Sequence, residues 1–429
     1  HQIKRTVVDT LGCAVGGFHS EPATIARTLA GSVTSSTPSR ILGTQLYSSP
    51  DMAGFANGVM VRYLDCNDSY FSPGGGHPSD MIPAALALGG PTESDGRSVI
   101  TAIALAYEVF CRLSDEVVTG EFGWDQGMFS IIGATCAAGK LLGLNQEQMG
   151  HAISLAIAPN LPLGVTRTGE LSMWKGCATA TATRAGIFAA QLAQQGMTGP
   201  NEPFEGRRGL WEQALGNTVN IPSFQKSRGS DDFRILETTF KSYPSQIHTQ
   251  APIGVALELH PQVSPEKITS VLIQSYDGAV SSPATEPQKW DPKTRETADH
   301  SIPYLVAVAL RYGSVDAGSF TSERIHDPAL RTLMAKFTME EIPDFTTRYP
   351  EEFNCRIQVT DDAGKIYEAH TRYPKGHRHN PLDDRQVEAK FRGLAADVVS
   401  AKQCDRVLEQ VWGLDDAPNL DSLFDSMVI

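Results

Sequence analysis

Residues 128–144, MFSIIGATCAAGKLLGL, place apolar side chains at helical spacing and crowd them with glycine and alanine. The same texture runs through residues 98–118 and through 177–195, CATATATRAGIFAAQLAQQ. Helices that carry so many small residues can approach one another closely, so this pattern predicts a closely packed helical core. Gly143 and Gly196 stand where those helices should stop, and Asn145 can open the next one. From residue 1 to about 216 the chain therefore reads as helical.

After that point the texture changes. Residues 217–230 are polar and include Pro222, Lys226 and Arg228, which suits a linker. Residues 267–276 and 355–360 are rich in β-branched side chains. The second run leads into Asp361-Asp362-Ala363-Gly364 and then residues 365–371, a hairpin signature. Residues 300–312 and 383–410 return to helical spacing. The expectation is a mainly α protein. A large all-helical domain would span residues 1–230, completed by 383–429 packing back on it, and a smaller α+β lid domain would span 231–382. A length of 429 residues independently favours two domains.

Composition narrows the function. Charged residues at 20% and hydrophobic residues at 41% are ordinary for a globular protein, and no run has the length and uniform apolarity of a membrane span. A net charge of -13 disfavours nucleic acid and anionic membranes as partners, so an anionic substrate would need a local cationic pocket. The seven cysteines lack the short spacings that iron–sulfur clusters and zinc sites use, which predicts chemistry without metal or other cofactor. The chain opens at His1 inside a helical pattern, so an upstream segment is expected to be missing. The expected compartment is the cytoplasm, or the mitochondrion for a eukaryotic source.

Candidate chemistry concentrates in five places. Residues 62–80 pack Arg62, Asp65, Asp68, Ser69 and His77 around Gly74, Gly75 and Gly76. The glycines let a substrate approach the backbone, Pro78 biases His77 away from helical geometry, and the imidazole can exchange a proton near neutral pH. A capped surface turn with a solvated histidine is the plain alternative. Lys175 lies at the entrance to an apolar helix, where its ammonium could join backbone N–H groups in holding a carboxylate, or could run along the surface into water. Lys241, Gln246, His248 and Gln250 follow one another closely around Pro244, and the last three would point the same way on an extended segment. His300 and Tyr304 have i, i+4 spacing, which suits either a core pair or a catalytic one. Residues 373–379, YPKGHRH, form a cationic turn, an anion clamp or a solvated loop. No GxSxG or HExxH motif is present, so serine hydrolase and zinc protease chemistry is disfavoured. A cleft between domains would unite the first three groups.

Taken in order, these motifs resemble the MmgE/PrpD family. The resemblance rests on Leu64-Asp65 to Ser69, His77-Pro78-Ser79-Asp80, Ser172-Met173-Trp174-Lys175, Gly199-Pro200 through Phe204-Glu205-Gly206, Lys241 to Gln250, Asp299-His300 to Tyr304, and Tyr373-Pro374 with Gly376-His377. It covers nearly the whole chain. It implies a homodimer with a metal-free site between a helical and an α+β domain, where Asp65, Ser69, His77, Lys175, Lys241 and Tyr304 line the pocket. Decarboxylases of the family resemble a pattern with histidine where Gln250 stands, whereas Tyr-Pro-x-x-x-His-x-Gln looks like the 2-methylcitrate dehydratases. Three departures stand out. The dehydratase pattern has an acid at Gln246 and a Glu-Trp pair at Gly74-Gly75, and a family histidine near Trp124 is replaced by Asp125 or Gln126.

The implied activity is elimination of water from a 2-methylcitrate-like tricarboxylic acid. The glycines at 74 and 75 suggest a vacated wall and therefore a longer 2-alkyl substituent. His77 and His248 are the expected acid/base pair, with Asp65 orienting His77. Lys175 and Lys241 would hold carboxylates, and Tyr304, Ser69 and Gln250 would position the hydroxyl, with Arg62, Gly75, Gln246 and His300 close by. The alternatives are a cis-aconitate-type decarboxylase, an imino- or amino-diacid epimerase, and a non-catalytic carboxylate-binding homologue.

Overall fold

The computed structural model describes residues 1–217, 219, 221 and 233–429, so the expected linker at 217–230 lies largely outside the described residues. The protein is mainly α, with few and small sheets. The chain divides into two compact units. The first comprises His1–Thr166, Gly176–Thr238 and Asp383–Ile429, and the second Arg167–Lys175 and Thr239–Leu382.

In the first unit the helix Gly127–Leu141 packs against Gly96–Glu116 and Ala178–Gln194, and Pro50–Tyr63 packs on Ala178–Gln194. The small residues explain how closely these helices approach. A Cβ on Gly186 would stand 2.8 Å from the Thr135 nitrogen, and one on Gly58 would stand 2.9 Å from the Ala180 Cβ. Asn145 opens the helix Gln146–Ile157 with a capping box closed by Gln148. Gly143 and Gly196 sit at positive φ just past their helices, as the sequence leads one to expect.

The C-terminal segment joins this unit through a buried charge. The helix Asp384–Ala395 packs on Gln2–Gly16. Its Lys390 Nζ lies 2.5 Å from Asp9 Oδ1 and donates to the Cys66 carbonyl at 2.6 Å. Both side chains are at least nine-tenths buried. Proximity to Asp9 raises the lysine pKa although burial opposes that change.

The second unit carries a four-stranded sheet in the order Phe337–Glu341, Ile268–Ser275, Cys355–Asp361, Ile366–Thr371. The last two strands form the expected hairpin, pairing Cys355 with Thr371 and Thr360 with Ile366. Asp361 shapes its turn by accepting from the Ala363 and Lys365 amides, and Gly364 adopts φ 78°. The strand Phe337–Glu341 pairs in parallel with Ile268–Ser275. Sequence pattern gives no sign of it, because most of its side chains are not buried. The helices Gln250–Leu259 and Ile302–Tyr312 pack together, and the first also lies against the hairpin strands.

Two assignments differ from the sequence reading. Residues 233–238, expected in the lid domain, group with the first unit. Arg167–Lys175 groups with the second unit, although it lies well inside the stretch expected to belong to the helical domain. The cause is tertiary. Lys175 pairs with Asp299, the Leu171 amide donates to Thr297 Oγ1, and Arg167 donates to the Lys175 carbonyl, all within that unit.

Removing Lys390 would leave the Asp9 carboxylate buried without its cation. We expect Lys390→Ala to cost about 3–5 kcal/mol of unfolding free energy, the usual effect of breaking a buried pair. Urea denaturation reads it, and a loss under about 1 kcal/mol would mean the pair does not anchor the C-terminal segment.

Candidate active site

The first group of candidate residues lies in the first unit, where the helix Pro50–Tyr63 ends and the chain turns sharply at Asp65, whose φ is 51°. Arg62 Nη1 donates to Asp65 Oδ1 at 2.5 Å, and Arg62 Nε lies 3.6 Å from Asp80 Oδ2. Asn67 Nδ2 donates to Ser79 Oγ and Asp80 Oδ1, both at 2.8 Å. Asp68 accepts from the Ser79 amide at 3.0 Å and from the Tyr107 hydroxyl at 2.7 Å. Burial nevertheless pushes its carboxyl up to about 7. These bonds tie residues 65–69 to residues 77–80. They set one ring.

His77 Nδ1 lies 2.7 Å from the Asp68 carbonyl, with Ser69 Oγ at 3.0 Å. A carbonyl can only accept, so Nδ1 carries a proton and a neutral His77 presents its lone pair at Nε2. That nitrogen stands 3.8 Å from Asp65 Oδ1, an ion-pair distance for a protonated ring. His77 is therefore a fixed ring with one reactive nitrogen.

The glycines before it do not leave a vacancy. A Cβ on Gly74 would stand 2.2 Å from the Val117 carbonyl oxygen and 2.6 Å from that of Ser114, and one on Gly75 would stand 2.7 Å from both the Phe71 ring and the Tyr70 carbonyl oxygen. The chain itself occupies the space, pairing Tyr70–Phe71 with Gly75–Gly76 and bonding the Gly74 amide to Ser114. This overturns the expected vacated wall. Gly74 is glycine because backbone lies against it. Asp125, which with Gln126 is one of the two residues expected at the place of the family histidine, accepts from the Gly127 amide at the start of the helix Gly127–Leu141.

The second group lies in the second unit. Asp299 bridges two partners, with Oδ2 2.5 Å from Lys175 Nζ and Oδ1 2.5 Å from His300 Nδ1. Its backbone carbonyl accepts from the Gln246 amide at 2.9 Å. Lys175, Asp299 and Lys241 are essentially without solvent exposure. His248 sits among Tyr276, Tyr349 and Phe353, and its Nδ1 lies 2.6 Å from the Tyr276 hydroxyl. Burial first, then the charges of Lys241 and His300, bring its pKa down to about 4. At neutral pH His248 is an uncharged base.

Three expectations need correction, while Lys175 lies just ahead of the helix Ala178–Gln194 as expected. Residues 246–250 are not extended: Ile247–Thr249 form a 3-10 turn that runs into the helix Gln250–Leu259. Gln246 caps that turn by accepting from the His248 amide, so the three side chains do not share a direction. Gln250 accepts from the Ser242 and Tyr243 amides and donates to Tyr243 and Ser245, which makes it the brace of the 242–245 turn. His300 precedes the helix Ile302–Tyr312 and does not pair with Tyr304, whose buried hydroxyl donates to the Ser319 carbonyl at 2.5 Å. Lys175 ends a 3-10 turn, Met173–Gly176, and meets Asp299 there.

The cationic turn at residues 373–379 folds onto itself. His377 stacks on Tyr373 and accepts at Nδ1 from the His379 amide. Burial and the neighbouring His379 and Arg378 charges depress it to about 3. Sequence reasoning passed over Asp299 as a partner of Lys175, Tyr107 as a donor to Asp68, and Tyr276 as a partner of His248. Each contact joins residues far apart in sequence, which short motifs do not encode.

Residues 1–221 match the MmgE/PrpD N-terminal domain and residues 243–414 match the MmgE/PrpD C-terminal domain. The chain belongs to the MmgE/PrpD family. It is 26% identical over 435 residues to a protein of Salmonella typhimurium named 2-methylcitrate dehydratase, covering 94% of this chain and 87% of the relative. It is also 26% identical over 400 residues to the mitochondrial 2-methylcitrate dehydratase of Yarrowia lipolytica, covering 86% and 75%. A 2-methylcitrate dehydratase-like protein of Aspergillus oryzae, named oryR, is 26% identical over 443 residues, covering 95% and 87%. Among the described residues no helix is long and apolar enough to cross a membrane.

The depressed imidazoles predict how stability responds to acid. An unfolded histidine takes up a proton near pH 6.5, so below that pH the unfolded chain binds more protons than the folded one. Stability present at neutral pH is therefore lost as pH falls from 6.5 through about 4 and toward 3, the values of His248 and His377. Asp68 acts in the opposite sense, so the parent and His377→Gln should be compared at each pH. We expect the variant to lose less Tm than the parent between pH 6.5 and 4.5, and parallel curves would contradict the assignment.

Proposed function

We propose that the chain is a hydro-lyase that removes water from a 2-methylcitrate-like tricarboxylic acid and leaves an aconitate-type alkene. The observation that carries this reading is the presence of two unlike histidines, one beside a carboxylate and the other beside a buried lysine. His77 has one reactive nitrogen beside Asp65, and His248 is neutral beside Lys241. The relatives' names and the Tyr243-Pro244 to His248 and Gln250 pattern point the same way.

Elimination breaks a C–H bond and a C–O bond and forms a C=C bond. A base takes the proton next to a carboxylate, an acid protonates the departing hydroxyl, and cations stabilise the charge that grows on that carboxylate. We assign the base to His248. Burial, then the charges of Lys241 and His300, depress it, and a substrate carboxylate that neutralises Lys241 would raise its basicity. We assign the acid to His77, whose imidazolium Asp65 would stabilise and whose Nε2 proton would pass to the leaving oxygen. Lys175 and Lys241 hold carboxylates, Ser69 steadies the His77 ring, and Arg62 holds Asp65.

Lysine ammonium groups fill the electrostatic role that a divalent cation plays in other lyases, so the reaction is proposed to be metal-independent. The space argument for a longer 2-alkyl group falls with the filled positions at Gly74 and Gly75. The substrate proposed is therefore 2-methylcitrate, the acid in the relatives' names. The decarboxylase alternative uses a histidine where Gln250 stands, and here that side chain braces a turn. The homodimer and the cytoplasmic or mitochondrial location implied by the resemblance belong to the same proposal.

Alkene formation from 2-methylcitrate, followed by ultraviolet absorbance, tests the roles. His77→Asn and His248→Asn should each lower kcat by roughly two to four orders of magnitude, the usual contribution of acid–base catalysis. Chelator treatment should leave the parent rate unchanged. Near-normal kcat in both variants would remove the histidine assignment, and loss of the parent rate with chelator would remove metal independence.

A further inference from the structure

Among the buried cations of the second unit, Lys289 has no role in the reading above. It lies in the short helix Pro287–Trp290, and its side chain is only 1% exposed. Its ammonium has three protons to donate and no hydrogen-bond partner among the described residues. The Glu286 carboxylate, at 3.7 Å, is beyond hydrogen-bond distance. Asp299 and Lys175 are both close enough to act on it electrostatically, but the two oxygens of Asp299 already meet Lys175 and His300.

The backbone around Lys289 is pinned. Ser301 Oγ donates to the Lys289 carbonyl, and Trp290 Nε1 donates to the Ala284 carbonyl at 2.5 Å. A buried ammonium left without hydrogen bonds is costly and lowers the pKa of the group. A fold that fixes its backbone and leaves the head unsatisfied resembles a site prepared for an anion, in which local instability is offset on binding.

We propose that Lys289 is a substrate-binding residue that takes one carboxylate of a tricarboxylate, beside the Lys175–Asp299 pair. The inference rests on the tricarboxylate reading above and deepens it, giving three buried lysines for three carboxylates: Lys175, Lys241 and Lys289. Lys289 then distinguishes tricarboxylates from dicarboxylates, because a ligand that lacks the third carboxylate leaves its ammonium unsatisfied.

Calorimetric titration of the full chain with propane-1,2,3-tricarboxylate, which has no hydroxyl to lose, separates binding from turnover. Glutarate serves as the ligand lacking one carboxylate. Lys289→Met should weaken tricarboxylate binding by about 10- to 100-fold, the range expected for one charge-assisted hydrogen-bonded contact, and leave glutarate binding unchanged. Its ligand-free Tm should stay within a few degrees of the parent's or rise, since the ammonium it removes makes no hydrogen bond and has only the more distant ion pair with Glu286. Lys289→Arg should retain part of the affinity. Unchanged tricarboxylate affinity, equal losses for both ligands, or a Tm lowered by several degrees would each overturn the proposal. If the parent binds the tricarboxylate through Lys289 yet forms no alkene from 2-methylcitrate, the hydro-lyase reading fails and this inference stands. If the parent binds no tricarboxylate, both fail.

Discussion

The carboxylate of Asp299 orders the charge of the second unit. With one oxygen it meets Lys175 and with the other it meets His300, in surroundings that exclude water. Buried charges persist only when they are paired and hydrogen-bonded, so this bridge is what lets Lys175 sit buried at all. It also explains the path of the chain. Arg167–Lys175 leaves the helical stretch in which sequence places it and joins the second unit, because its terminal lysine has its counter-ion there.

The first unit solves a similar problem with a different cation. Lys390, from the C-terminal helix, pairs with Asp9 and donates to the Cys66 carbonyl. Cys66 follows Asp65 and precedes Asn67 and Asp68, which fix His77. The C-terminal segment therefore reaches the candidate site through one ammonium and one carbonyl. Fold and chemistry share these atoms, so a substitution there should be judged by its effect on His77 as well as on stability.

Sequence made the local features legible. Helical runs rich in small residues, the Asn145 capping box, the Asp361–Gly364 turn and the paired strands beside it all depend on neighbours a few residues apart. The mainly α class followed from them. What escaped notice depended on distant partners. The strand Phe337–Glu341 is half exposed and lacks a clear period, Lys175 finds Asp299 across 124 positions of sequence, and Gly74 is glycine because of carbonyls at Ser114 and Val117. His77 and His248 could be picked out as residue types, but the carbonyl that fixes the His77 tautomer and the enclosure that keeps His248 neutral could not.

The most direct check on the chemistry is the mass of the product. Purified chain incubated with 2-methylcitrate should yield an acid lighter by one molecule of water, with all three carboxylates retained and no carbon dioxide evolved. Release of carbon dioxide, or recovery of the starting acid with altered stereochemistry and no alkene, would contradict a hydro-lyase.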